Sequence, residues 1–162
     1  GDEIEIKPGV MNEKKKSYEP LLTEIISLGT AAGLVESVKP GGLVAIGTKL
    51  DPSMTRSDSF IGSVIGKPDT LPENFTQLKL EVNLFDSAVG ITEDVKVKPI
   101  QSGELLRLNI GTAPVLGKVN KIKSKNIEIE LRRPVCIFQG GNVAISRRIA
   151  ERWRLIGAGI VG

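Results

Sequence analysis

Residues 78–85 read LKLEVNLF, with aliphatic side chains at every second position and Lys79, Glu81 and Asn83 between them. A β-strand turns successive side chains to opposite faces, so Leu78, Leu80, Val82 and Leu84 share one side, whereas a helix of about 3.6 residues per turn would scatter them. The period predicts a half-buried strand. It recurs in ELLRLNIG, which aligns Leu106, Leu108 and Ile110, and briefly in VKVKPI. Residues 115–138, VLGKVNKIKSKNIEIELRRPVCIF, read as two strands around a turn at 124–126, the second marked by Ile127, Ile129 and Leu131. Near the start, DEIEIKPG alternates Ile4 and Ile6 with charge until Pro8 and Gly9 stop it.

Other apolar runs are shorter or less regular. LLTEIISLG, GLVAIGTKL and SFIGSVIGK each sit between turn residues, while VMNEKKKS is a polar loop whose Lys14, Lys15 and Lys16 face water. Many short strands with closely spaced turns favour an antiparallel barrel or sandwich; a parallel sheet would need crossover helices. GKPDTLPEN, with Pro68 and Pro72 in nine residues, interrupts any strand and marks a linker.

One stretch resists this reading. NVAISRRIAERWRLIGAG, residues 142–159, holds Arg147, Arg148, Arg152, Arg154 and the only tryptophan, Trp153. As a helix it brings Ile145, Ile149, Trp153 and Ile156 near one stripe; as strands it alternates from Val143, turns at Ala150 and Glu151, and alternates again. The stretch alone leaves both open, and its strand-rich surroundings weigh towards the second.

Catalytic signals are sparse. The sequence contains no histidine, which excludes a histidine base or ligand, and one cysteine, Cys136, which excludes an internal disulfide and reads as a small core residue in PVCIF. There is no GxxxxGK[ST] loop for a nucleoside triphosphate, and the glycines of GAG and GSVIG lack the strand–loop–helix setting of a dinucleotide cradle. Asp51, Asp58 and Asp69 are too isolated for a metal cluster and suit loop capping. No apolar run reaches the roughly 18 residues of a membrane span, and GDEIEIKPG has no signal-peptide pattern. A cytoplasmic setting is expected.

Charge points to a partner class. Residues 1–100 carry 11 basic and 15 acidic side chains, and residues 101–162 carry 11 and 4. An anionic partner, nucleic acid first, fits the basic end; solvated surface lysines are the plainer explanation. Arg132 and Arg133, next to Pro134, and the four arginines of 147–154 are the phosphate-contact candidates, because guanidinium groups hold phosphate oxygens in pairs. Ion pairing with Glu128, Glu130 or Glu151 is their alternative use. Trp153 could stack on a base, although a lone tryptophan beside Leu155 and Ile156 more often fills a core or junction.

Five segments taken in order, GDEIEIKPG, KPGGLVAIGTKLDPSMTRSD, LNIGTAPVLGKV, LRRPVC and ISRRIAERWRLIGAG, resemble the C-terminal part of the gamma subunit of archaeal and eukaryotic translation initiation factor 2, a relative of bacterial elongation factor Tu. The resemblance implies an all-β chain of antiparallel translational-factor β-barrels: an incomplete domain II-like barrel over 1–72, with unpaired edges, and a complete domain III-like barrel over 73–162. It reads 142–159 as strand, turn and strand. Trp153, Gly157 and Gly159 then take structural roles in the closing strand.

The same resemblance implies a non-catalytic portion of a GTPase, contributing to delivery of initiator methionyl-tRNA to the small ribosomal subunit within a heterotrimer. GTP and magnesium belong to the family's GTPase domain, whose loops are not in this sequence, and no cofactor or metal is expected here. The alpha subunit is expected near residues 40–58, with Lys49, Asp51, Arg56 and Asp58 as contact candidates; the beta subunit is expected on the GTPase domain alone. The alternative is a structural barrel that packs against the GTPase domain without touching RNA.

Overall fold

The computed structural model describes residues 1–39, 41–91 and 95–162. These form two compact units, Gly1–Leu71 and Pro72–Gly162. Strands β1 (Glu3–Asn12), β2 (Ser17–Thr30), β3 (Gly33–Val35), β4 (Ala45–Thr48) and β5 (Val64–Gly66) belong to the first; β6 (Asn74–Val89), β7 (Leu105–Ile110), β8 (Ala113–Lys123), β9 (Asn126–Cys136), β10 (Asn142–Ile149) and β11 (Arg152–Val161) to the second. Every strand pairing is antiparallel.

The first unit is an open, curled sheet in the order β3-β2-β1-β5, with β4 also on β2. Pro8 and Gly9 do not end β1 as their chemistry suggested; the ladder slips between Ile6 and Val10 and resumes. Gly9 makes the slip possible, since at φ +86° a Cβ there would lie 1.8 Å from the Glu19 carbonyl oxygen. Ile4 and Ile6 are buried as their alternation predicts, but so is Glu5 between them. β1 runs between β2 and β5, and Leu71 lies over Gly66, the ladder partner of Glu5, so both faces of the strand are covered. Lys7 stands 3.6 Å from the Glu5 carboxylate. Elsewhere apolar side chains stay uncovered: Leu22, which faces Glu5 from β2, Ile26 on β2, Leu34 on β3 and Leu43, outside the strands, are exposed.

The second unit is a closed six-stranded barrel in the cyclic order β10-β11-β6-β9-β8-β7. Closure gives every barrel strand two neighbours, so no strand is an edge strand over its whole length. Its interior is built from the alternating positions: Leu78, Leu80, Val82, Leu106, Leu108, Ile110, Ile127, Ile129 and Leu131 are all buried, joined by Val143, Ile145 and Ile156. The stretch 142–159 is therefore a hairpin, not a helix. VKVKPI differs from expectation. It makes one isolated bridge, Ser87 to Lys96, and two backbone bonds to β6, after which Pro99 offers no N–H to continue a ladder. Val97 and Ile100 pack on the barrel core as a cap rather than as a strand. Cys136 is buried, with its Sγ 3.6 Å from the Pro72 carbonyl.

Candidate nucleic-acid interface

The arginine hairpin turns on two residues. Ala150 and Glu151 join β10 to β11 with φ of 47° and 65°, the doubly left-handed backbone that matches strand twist in a two-residue loop. Across the ladder Arg147 faces Arg154, Arg148 faces Trp153 and Ile149 faces Arg152. Facing residues share a side and neighbours alternate. Arg147, Arg152 and Arg154 thus lie on one side with Ile149, while Arg148 and Trp153 lie on the other.

These arginines are differently engaged. Arg147 is mostly buried: its Nε and Nη2 donate to the two oxygens of Glu104 at 2.5 and 3.1 Å, its Nη1 to the Lys98 carbonyl at 2.8 Å, and its Nη2 also to the Pro99 carbonyl at 3.3 Å. That set binds residues 98–104 to β10. Arg148 is exposed and pairs with Glu151 in its own turn. Arg152 is exposed and Arg154 half-buried beside Gly90. Trp153 is only partly buried.

Arg132 and Arg133 occupy another sector. They lie on β9, and the barrel order sets β6 between β9 and β11 on one side and β8 and β7 between β9 and β10 on the other. The six arginines therefore do not converge. Arg133 donates to the Pro114 carbonyl at 3.0 Å, whereas Arg132 is exposed.

A third basic group, not among the arginine candidates, is Lys118, Lys121, Lys123 and Lys125, all exposed on the β8–β9 hairpin. Their spacing around Ser124 is the sequence signal for this group. Lys121 stands 3.7 Å from Glu128, itself opposite Lys79, so charge is balanced along the ladder and unbalanced at the tip. Residues 72–162 hold 14 basic and 9 acidic side chains. Weakly paired cations on a rigid barrel can hold an anionic polymer. Among the described residues no group of three acidic, cysteine or histidine side chains gathers as a metal site would need.

In the first unit, Pro40 lies outside the described residues. Lys49 is exposed and bonded to Glu24, whose carboxyl this hydrogen bond, helped by the lysine's charge, holds below its ordinary value. Asp51 caps the 3₁₀ segment Pro52–Asp58 by accepting from the Ser53 amide at 2.8 Å, and hydrogen bonds from the Ser53 hydroxyl and amide lower its pKa. Arg56 and Asp58 are exposed beyond the cap. Leu43 is almost wholly exposed nearby in sequence, and Ile46 on β4 is partly so. This segment offers charge and apolar surface together.

Gly157 and Gly159 line the inner side of β11. A Cβ at 157 would lie 2.5 Å from the Asn83 carbonyl oxygen, and one at 159 would touch Ile145 and Leu80 at 3.4 Å. The family model described as "Initiation factor eIF2 gamma, C terminal" matches residues 76–161, which include the whole arginine hairpin. The chain belongs to this initiation factor 2 gamma family. It is similar to translation initiation factor 2 subunit gamma of Archaeoglobus fulgidus, 48% identical over 161 residues covering 99% of this chain and 38% of that protein. The same subunit of Pyrococcus furiosus is 50% identical over 163 residues, covering 99% and 40%, and that of Methanopyrus kandleri is 50% identical over 163 residues, covering 99% and 39%. The chain spans about two fifths of the length of these curated relatives.

Proposed function

We propose that the chain is the non-catalytic, RNA- and subunit-binding part of an initiation factor 2 gamma subunit, acting in delivery of initiator methionyl-tRNA to the small ribosomal subunit. The observation that carries the RNA contact is the exposure of Arg132, Arg148 and Arg152 on a barrel with surplus positive charge. Phosphate contacts of this kind position RNA without reading its bases. Residues 1–72 correspond in this reading to a partial second-domain barrel and residues 73–162 to the third. The alpha subunit docks on residues 40–58, a segment that carries Lys49, Asp51, Arg56 and Asp58 together with the exposed Leu43 and Ile46. The beta subunit, GTP and magnesium are held by a GTPase domain outside this sequence, and the heterotrimer works in the cytoplasm.

Binding of initiator tRNA across a salt series tests the RNA contact. Phosphate neutralisation requires the association constant to fall steeply as salt rises. Absence of saturable binding at low salt would overturn it and favour the second reading, a barrel that packs on the GTPase domain without RNA. That second reading draws on Arg147 and Arg133, whose guanidinium groups are spent on internal carbonyls and Glu104.

A further inference from the structure

We propose that the notch between the β8–β9 hairpin and residues 95–100 binds a short extended acidic peptide carrying an aliphatic anchor. This inference is independent of the RNA reading. The notch is a cavity of about 260 Å³ whose walls include Val82, Leu84, Ile100, Ile122 and Ile127, with Lys125 at its edge and, among the described residues, no acidic side chain in its lining.

Its backbone is poised for a strand-like partner. Val82 donates its N–H to the Lys125 carbonyl at 2.7 Å, on the side of β6 away from β11. Val82, Asn83 and Leu84 pair with Gly159, Ala158 and Gly157 without a slip. Ladder alternation therefore turns the N–H and C=O of Leu84 to the same side as those of Val82, into the notch. β9 no longer faces β6 there, since its first residue, Asn126, pairs with Glu81. The next bond on that side joins Val97 N–H to the Asp86 carbonyl at 2.9 Å. An added peptide residue can exchange both bonds with Leu84, the mode by which sheets recruit extended segments.

Side-chain chemistry then selects the sequence. A residue paired with Leu84 points to the face of the sheet that Leu84 occupies, where Leu84 packs against the barrel core, so it enters among Ile100, Ile122 and Ile127. Its neighbours point outward. There Lys123, opposite Asn126, and Lys125 have no acidic partner among the described residues, and both are exposed. Alternating aliphatic and acidic residues satisfy both faces. A nucleobase is disfavoured because, among the described residues, the walls hold no aromatic ring on which it could stack.

The probe is a fluorescent peptide alternating aspartate and leucine, titrated into the full chain by anisotropy, with amide NMR alongside. Saturable binding is expected, with a shifted and exchange-protected Leu84 amide. Lys125→Glu and Ile122→Ser should each weaken binding by about tenfold or more. Ile122 is 40% exposed, so its replacement leaves the barrel intact, which amide dispersion verifies. A peptide with serine for leucine should bind at least about tenfold less tightly. Equal binding of the serine peptide, an unmoved Leu84 amide, or no saturable binding would each overturn the proposal. So would displacement of the peptide by oligouridylate that itself shifts Leu84, which would make the notch a nucleic-acid site.

Discussion

Arg147 and Glu104, 43 residues apart in the chain, meet in a two-pronged ion pair whose side chains are each less than one-fifth exposed. The guanidinium also closes on the carbonyls of Lys98 and Pro99, so one side chain fixes the segment that caps the barrel. Removing either partner strands the other. Arg147→Ala is expected to destabilise the second unit by about 2–4 kcal/mol, and Arg147→Lys to recover only part of this because it lacks the planar fork. Chemical unfolding of both variants, with Glu104→Gln to complete a double-mutant cycle, measures the coupling; an additive cycle would show that the pair is not cooperative.

The β10–β11 turn places two non-glycine residues at positive φ. Ala150→Asn with Glu151→Gly suits that backbone and is expected to raise stability by about 0.5–1 kcal/mol, while Ala150→Val lowers it. Thermal melts of the two variants should move in opposite directions.

β11 approaches β6 closely at Gly157, where any side chain meets the Asn83 backbone. Gly157→Ala should cost about 1–3 kcal/mol, since backbone cannot move aside as a flexible side chain would. Gly159→Ala, with contacts at 3.4 Å rather than overlap, should cost less. Denaturant midpoints rank the pair, and the reverse order would contradict the strand placement.

Reversing Arg148 and Arg152 to glutamate should weaken binding to any RNA alike and flatten its dependence on salt, with folding retained. Arg147 is unsuited to this test because its loss disturbs the barrel. Trp153 separates packing from stacking. Its partial exposure lowers the expected cost of Trp153→Ala to about 1–3 kcal/mol, short of a fully buried aromatic. A Trp153→Ala chain of unchanged stability that no longer binds RNA would identify the ring as a stacking platform.

Glu24 and Asp51 are held below their ordinary values of 4.5 and 3.8. Folded-state pKa values that are depressed add stability that is complete above the unfolded values and lost as pH falls through the lowered ones. Acidification below about pH 4.5 should therefore loosen the first unit. Lys49→Ala removes the main cause at Glu24, so its carboxyl should titrate closer to 4.5 by NMR, and added salt should shrink the difference in the parent chain.

Much of the barrel was legible in its amino acids because side-chain alternation is a local property. A period of two in LKLEVNLF, ELLRLNI and IEIEL assigns the inward residues without reference to any partner strand, and Ala150–Glu151 lies where alternation breaks between two strands. Strand neighbours are not local. Only closure of the barrel set β6 between β9 and β11, parting Arg132 and Arg133 from the arginine hairpin, and only the cap at 98–104 turned Arg147 inward to Glu104. Glu5 shows the same limit: its charge reads as solvent-facing in DEIEIKPG, yet β1 lies between two strands with its second face covered. The sequence by itself determined which positions could point into a core; the tertiary structure decided which polar groups would be drawn in with them, because burial and pairing depend on segments brought together only when the sheets form.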